Sequence, residues 1–169
     1  MATSPRPVDE PDRAGRSDFA LSSQASQPGK EHRPLVRART LGRVLLGGAL
    51  LATGSGHLTT LRQEFQAQVP AWLPLDPDLV VVASGVVELG LGAALILAPL
   101  SLLPAVGWVT AAFFVAIFPG NIGQYVSGTD AFGLDSDSSR LVRLFFQPVL
   151  VAWALWSTGA WRAWSQRSR

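Results

Sequence analysis

The sequence predicts an all-α protein: a four-helix transmembrane bundle preceded by a disordered N-terminal tail. Three observations carry that expectation. The 169 residues are 48% hydrophobic and only 15% charged, too little charge to cover every element of a soluble domain. The charges are also bunched: residues 44–61 hold only the imidazole of His57, and residues 79–123 hold Glu88 alone. Residues 79–100 then form one apolar stretch about as long as a bilayer core is thick.

Residues 1–36 are rich in Pro, Ser, Gln and mixed charge and cannot bury enough surface to fold alone, so they are expected to be a disordered tail. A membrane domain is expected over residues 37–164, with spans at about 41–61, 79–100, 104–121 and 141–161. The first span is only moderately apolar. Its glycines at 47, 48, 54 and 56, with Ala52, are expected to allow close helix approach, and Gly48, Ala52 and Gly56 fall at small-xxx-small spacing. A signal peptide is the competing reading, disfavoured by the long, partly acidic lead and by the apolar segments that follow. Residues 62–78 are a connection broken by Pro70 and Pro74, with Trp72 and Leu73 as an interfacial anchor. A short uncharged turn at residues 99–104 makes the second and third spans an antiparallel pair. Pro119–Gly120 ends or kinks the third span, and residues 124–140 are a polar loop. The fourth span closes on Trp161, Arg162, Trp164, Arg167 and Arg169, an aromatic belt followed by a basic end.

Orientation follows from the 13 arginines and one lysine. Lys30, Arg33, Arg37, Arg39 and Arg43 flank the first span, and three arginines follow the last. Both termini are therefore expected on the cytoplasmic side of a bacterial plasma membrane, which requires an even number of spans. The arginines sit at segment ends and form no stripe, so the lipid bilayer and not nucleic acid is the expected partner. There are no cysteines, which excludes disulfides, thiolate metal sites and CxxC redox chemistry.

The chemistry-bearing residues converge in this topology. Glu88 lies about 14 Å into the second span by helical rise, and a carboxylate there is tolerable only against protein or a wet cavity. Ser84, Glu88 and Gly92 share a face, with Gly85 beside them. His57 ends the first span, Asn121 and Gln124 end the third, and Arg143 and Gln147 lie a turn apart at the start of the fourth. The candidate ligand site is His57, Ser84, Glu88, Asn121, Arg143 and Gln147, in the outer half of the bundle. Arg143 reaches Glu88 only by extending inward or through a water or ligand. A metal centre is not expected, since His32 falls in the tail and His57 then has a single carboxylate for company. No nucleophile elbow or activated serine is present.

Gly54-Ser55-Gly56-His57, then Glu64-Phe65, Val69-Pro70 and Leu73-Pro74, then Ser84-Gly85-Val86-Val87-Glu88, then Phe118-Pro119-Gly120-Asn121 together resemble the DoxX family of small bacterial four-helix membrane proteins. The resemblance covers about residues 41–161. It departs at Leu58, where the family often has phenylalanine, and at Gly120, where alanine is usual. It implies association with quinone-linked membrane redox complexes and gives no intrinsic cofactor. Without cysteines, electron transfer would need a bound quinone or a redox-enzyme partner subunit. Two readings stay open at this level. In one, the polar groups bind a quinone or a similar apolar ring, with Glu88 in proton transfer. In the other, the chain is a non-catalytic scaffold or partner-binding subunit, and its intramembrane polar residues only fix helix packing. Association of copies of the chain into a homo-oligomer is compatible with both.

Overall fold

The computed structural model describes residues 32–130 and 136–167. Most of the expected tail, up to residue 31, lies outside the described residues, as does the tip of the loop at 131–135. The chain divides into two units, Met1–Pro34 and Leu35–Arg169, and the packing below is that of the second. Among the described residues every regular element is a helix: α1 His32–Leu58, α2 Arg62–Gln66, α3 Pro77–Leu97, α4 Leu103–Ser127, α5 Asp137–Thr158 and α6 Ala160–Arg167.

The helix ends follow local chemistry. Asp76 caps α3 by accepting from the Leu79 N–H at 3.0 Å, with Pro77 in the first turn where its missing donor costs nothing. Ser136 caps α5 through the Ser139 N–H. Gly159 ends α5 in the left-handed region, at φ 74°, a conformation that favours glycine.

Some expected boundaries are corrected. α1 starts at His32, so residues 32–36 are helical and not part of a disordered tail. α4 does not stop at Pro119 but runs through it to Ser127. The proline removes one donor, that of the Val115 carbonyl; the next turns stay wound because Asn121 and Gln124 are buried within them. Residues 137–140, expected in the loop, open α5.

Among the described residues three helices are long and apolar enough to cross a membrane: α3, α4 and α5. Large hydrophobic side chains face outward on and beside them, among them Leu97, Leu100, Val126 and Phe145 at 70–81% exposure. Lipid, not water, is the solvent such a surface requires. The chain is a multi-pass integral membrane protein. α1 has the length, 27 residues, but Arg43, His57 and its glycines dilute it, and it is not among the three. It nevertheless contributes to the same core: Leu46 and Leu50 of α1 join Leu91 and Leu95 of α3, Ala111 and Phe114 of α4, and Ala154 of α5 in one buried cluster.

α1 and α3 touch backbone to backbone along two glycine pairs. A Cβ built on Gly54 would lie 2.9 Å from the Gly85 carbonyl, and one on Gly47 would lie 2.9 Å from the Gly92 carbonyl. The contact face of α1 is therefore Gly47 and Gly54. Gly48 faces open space, Ala52 is exposed and Gly56 meets only Leu61 of its own turn, so the small-xxx-small set of Gly48, Ala52 and Gly56 is not the contact face.

This register ends α1 low beside α3. Gly54 and His57 are level with Gly85, so only Leu58 continues α1 upward, whereas eight residues of α3, about 12 Å, rise above Gly85 to Pro77. Residues 59–76 fold over the gap as a roof. Arg62 grips the Asp78 carboxylate with two hydrogen bonds, one of them from Nε at 2.6 Å, and Gln66 adds a third at 2.6 Å. The hydrogen bond to Asp78 holds the Arg62 guanidinium above its usual range. On the other side the roof rests on α4. A Cβ on Gly120 would lie 3.2 Å from the Gln68 carbonyl, and one on Gly123 3.4 Å from Pro70. Gly120 is thus part of the roof's seat.

Candidate functional site

Beneath the roof is a cavity of about 470 Å³, within the usual range for a small-molecule site. His57, Ser84, Glu88, Asn121, Arg143 and Gln147 all line it. They come from α1, α3, α4 and α5, and the aromatic rings of Phe65, Trp72, Phe114 and Phe146 complete the wall. The site falls into two clusters and a roof contact.

The first cluster centres on Glu88, which is 5% exposed. Its stem lies against Gly54, whose own Cβ would come 3.1 Å from the Glu88 Cβ. The glycine seam is therefore what lets a carboxylate fit between two helices. Oε2 accepts from the Thr53 hydroxyl at 2.7 Å and stands 3.2 Å from His57 Nδ1. Thr53 also lies near the Ala49 and Leu50 carbonyls, at 3.1 and 3.3 Å. A hydroxyl has one proton to give, and the carboxylate is both its nearest and its charged acceptor. The His57 ring packs on Phe65 of α2, centroids 3.5 Å apart. As the ring is turned, Nδ1 makes no hydrogen bond; its approach to Glu88 is an electrostatic contact.

The second cluster is a closed chain. Asn121 Nδ2 donates to Gln147 Oε1 at 3.0 Å, and Gln147 Nε2 donates to the Phe114 carbonyl at 2.5 Å. It joins α4 to α5 in the stretch where Pro119 and Pro148 have each removed a backbone donor. The Gln147 amide bonds the Phe114 carbonyl, next to the Val115 carbonyl that Pro119 leaves without its donor.

Arg143 meets the roof, donating to Gln68 Oε1 at 2.6 Å. The Nε2 of Gln68 is buried and makes no hydrogen bond among the described residues. Ser84 turns back on its own helix, donating to the Val81 carbonyl at 2.9 Å. Arg140, on the same face of α5 by spacing, serves the loop instead. It pairs with Asp137 at 2.7 Å and with Asp130. Among the described residues no cluster of His, Cys, Asp and Glu could hold a metal ion.

Sequence reasoning missed Thr53, Phe65 and Gln68 as site residues. Thr53 was legible in principle, being four residues before His57 and so on its face. Gln68 and Phe65 were not, because nothing in the spacing of residues 62–78 tells where a proline-broken connection folds back.

A family model matches residues 46–158, two thirds of the chain. The chain belongs to the family described as Domain of unknown function (DUF8561). The matched stretch runs from Leu46 in α1 to the last residue of α5, so the whole cavity and its roof fall inside it. No curated protein matches the chain, and no solved structure does.

Proposed function

We propose that the roofed cavity binds a quinone or a similar apolar ring with oxygen acceptors, and that the protein is a membrane subunit serving a redox-enzyme partner. One observation carries this reading. Four buried side-chain polar atoms are left without a hydrogen bond among the described residues, and two of them, His57 Nδ1 and Gln68 Nε2, belong to residues lining this one cavity. A buried unpaired donor costs about 1–3 kcal/mol, a cost that a ligand oxygen would offset. Gln68 Nε2 and Arg143 can donate to ring oxygens, and the aromatic wall suits a flat apolar body. Reduction of a quinone takes two electrons and two protons. Glu88 and His57, 3.2 Å apart, are the groups that supply the protons, while the electrons come from the partner, since this chain has no cysteine to carry them. The likeness to the DoxX family supports the same reading.

In this reading α1 is the fourth span, both termini are cytoplasmic, the membrane is a bacterial plasma membrane and the cavity lies in its outer half. The excess of arginine at both chain ends supports this placement.

One observation favours the scaffold reading for part of the site. The Asn121–Gln147–Phe114 chain is internally complete, so those two amides fix the register of α4 on α5 and leave ligand contact to the others. The test is titration of purified protein with a short-chain quinone analogue followed by intrinsic tryptophan fluorescence. Saturable binding, weakened at least tenfold by Gln68→Leu and by Glu88→Gln, is expected. Absence of saturation, or affinity unchanged in both variants, would leave the scaffold reading.

A further inference from the structure

A second cavity, larger and differently built, opens on the opposite end of the molecule, where α1 begins and α5 passes into α6. It encloses about 820 Å³ and is apolar along its length, with Val115 and Phe118 of α4 on one wall and Val151, Ala152 and Leu155 of α5 on the other. Its mouth is different in kind. Arg39 of α1 and Arg162 of α6 stand there with Trp156 and Trp161.

We propose that this groove seats an anionic phospholipid, one acyl chain lying along α5 and the phosphate held between Arg39 and Arg162. The two guanidinium groups are close enough to feel each other's charge. Among the described residues neither meets a carboxylate or makes a hydrogen bond to a side chain or carbonyl. Arg39 lies over the turn at Gly159, its Nη1 3.6 Å from where a Cβ would stand there. Two converging like charges with no counterion, one of them half-buried, call for an anion. Guanidinium pairs take phosphate oxygens in forked hydrogen bonds. The groove reaches from Trp161 to Pro148, and the ten steps of α5 from Pro148 to Thr158 rise about 15 Å. That is half of a hydrocarbon core of about 30 Å, the depth of one leaflet. Basic pockets between helices at an anionic membrane face take lipid headgroups for the same reason. Tryptophans at the mouth suit the headgroup level.

Free phosphate shares the headgroup's chemistry but has no use for the apolar walls, which is why the lipid is the occupant argued here. The site does not depend on the quinone reading. Gln147 borders both cavities, but neither arginine touches the roofed one, and both lie outside the stretch that matches the family.

The experiment is native mass spectrometry and thermal unfolding of the full chain in detergent, with dioleoyl phosphatidylglycerol, dioleoyl phosphatidylcholine or inorganic phosphate added. Retention of phosphatidylglycerol about tenfold over phosphatidylcholine is expected, with a matching rise in Tm. Arg39→Gln and Arg162→Gln should each abolish the preference, and Arg37→Gln, an exposed arginine outside the groove, should leave it. Ala152→Trp, which fills the slot, should lower lipid retention with both arginines present. Equal retention of the two lipids would overturn the proposal. So would an Arg37→Gln effect as large as that of Arg39→Gln, which would mean surface charge alone. Stabilisation by inorganic phosphate equal to that by phosphatidylglycerol would make this a free-anion site and overturn the lipid.

Discussion

His57 Nδ1 and Glu88 Oε2 stand 3.2 Å apart, each side chain 7% exposed, although one residue is the penultimate member of its helix and the other lies in the middle of its own. A terminal residue meets a central one because α1 stops low beside α3. The glycine pairs set that offset, and the proline-broken connection fills what it leaves open.

The contact predicts a graded response to substitution. Glu88→Ala removes the acceptor of Thr53 and the charge beside His57. Leaving the Thr53 hydroxyl and the buried His57 ring without that partner should cost about 1–3 kcal/mol. Glu88→Gln keeps an acceptor for Thr53 and should cost about 1 kcal/mol. Thermal unfolding in detergent should order the proteins wild type, Glu88→Gln, Glu88→Ala. Equal losses would mean that the charge does not matter.

The seam predicts which glycines matter. A Cβ on Gly85 would lie 2.7 Å from the Cβ of His57 and 3.1 Å from the Gly54 carbonyl, while one on Gly90 meets nothing within 4 Å. Gly85→Ala should therefore cost about 1–3 kcal/mol by overpacking and displace His57 from Glu88. Gly90→Ala should be neutral or slightly stabilising. Tm values of the two variants check this directly.

Asn121 and Gln147 should behave as a unit. Gln147→Leu leaves the buried Asn121 amide without its acceptor and removes the second bond to the Phe114 carbonyl, so its cost, about 1–3 kcal/mol, should exceed that of Asn121→Leu. The double variant should cost less than the sum of the singles. Additivity in a double-mutant cycle would dissolve the chain described between α4 and α5.

The roof should loosen without the bundle following. Asp78 is partly exposed and its bonds to Arg62 and Gln66 are at the surface, so Asp78→Ala should leave global stability almost unchanged. Hydrogen exchange over residues 59–76 should nevertheless quicken, while that of α4 and α5 stays as it was.

The absence of native cysteine makes the topology directly testable. Ser4→Cys, Ser138→Cys and Ser165→Cys each introduce a single thiol. With α1 as a fourth span, an impermeant maleimide added to intact cells should label only Ser138→Cys. Labelling of Ser4→Cys would place α1 on one side of the membrane and leave three spans.

Much of the architecture was legible because lipid imposes simple rules. Glu88, alone in 45 residues without another charge, marked a helix needing protein around its centre, and α3 buries it at 5% exposure. The rotation of α1 was not legible in the same way. Its glycines at 47, 48, 54 and 56 spread over more than one face, and successive residues differ by about 100°. The usable signal was the matching seven-residue spacing of Gly47 and Gly54 with Gly85 and Gly92. The length of α4 was misjudged because Pro119 reads as a stop in water, whereas a buried Asn121 and Gln124 carry the helix past it.

The level at which α1 ends has an electrical consequence. Carrying one charge fully across a membrane changes its energy by about 2.3 kcal/mol per 100 mV, and the fraction felt depends on where the journey ends. A proton arriving at Glu88 from the roofed side would traverse only the thinner insulating layer and respond weakly to voltage. One arriving from the arginine-flanked side would have to climb the long stack of Leu91, Leu95 and their neighbours, and would feel most of the field.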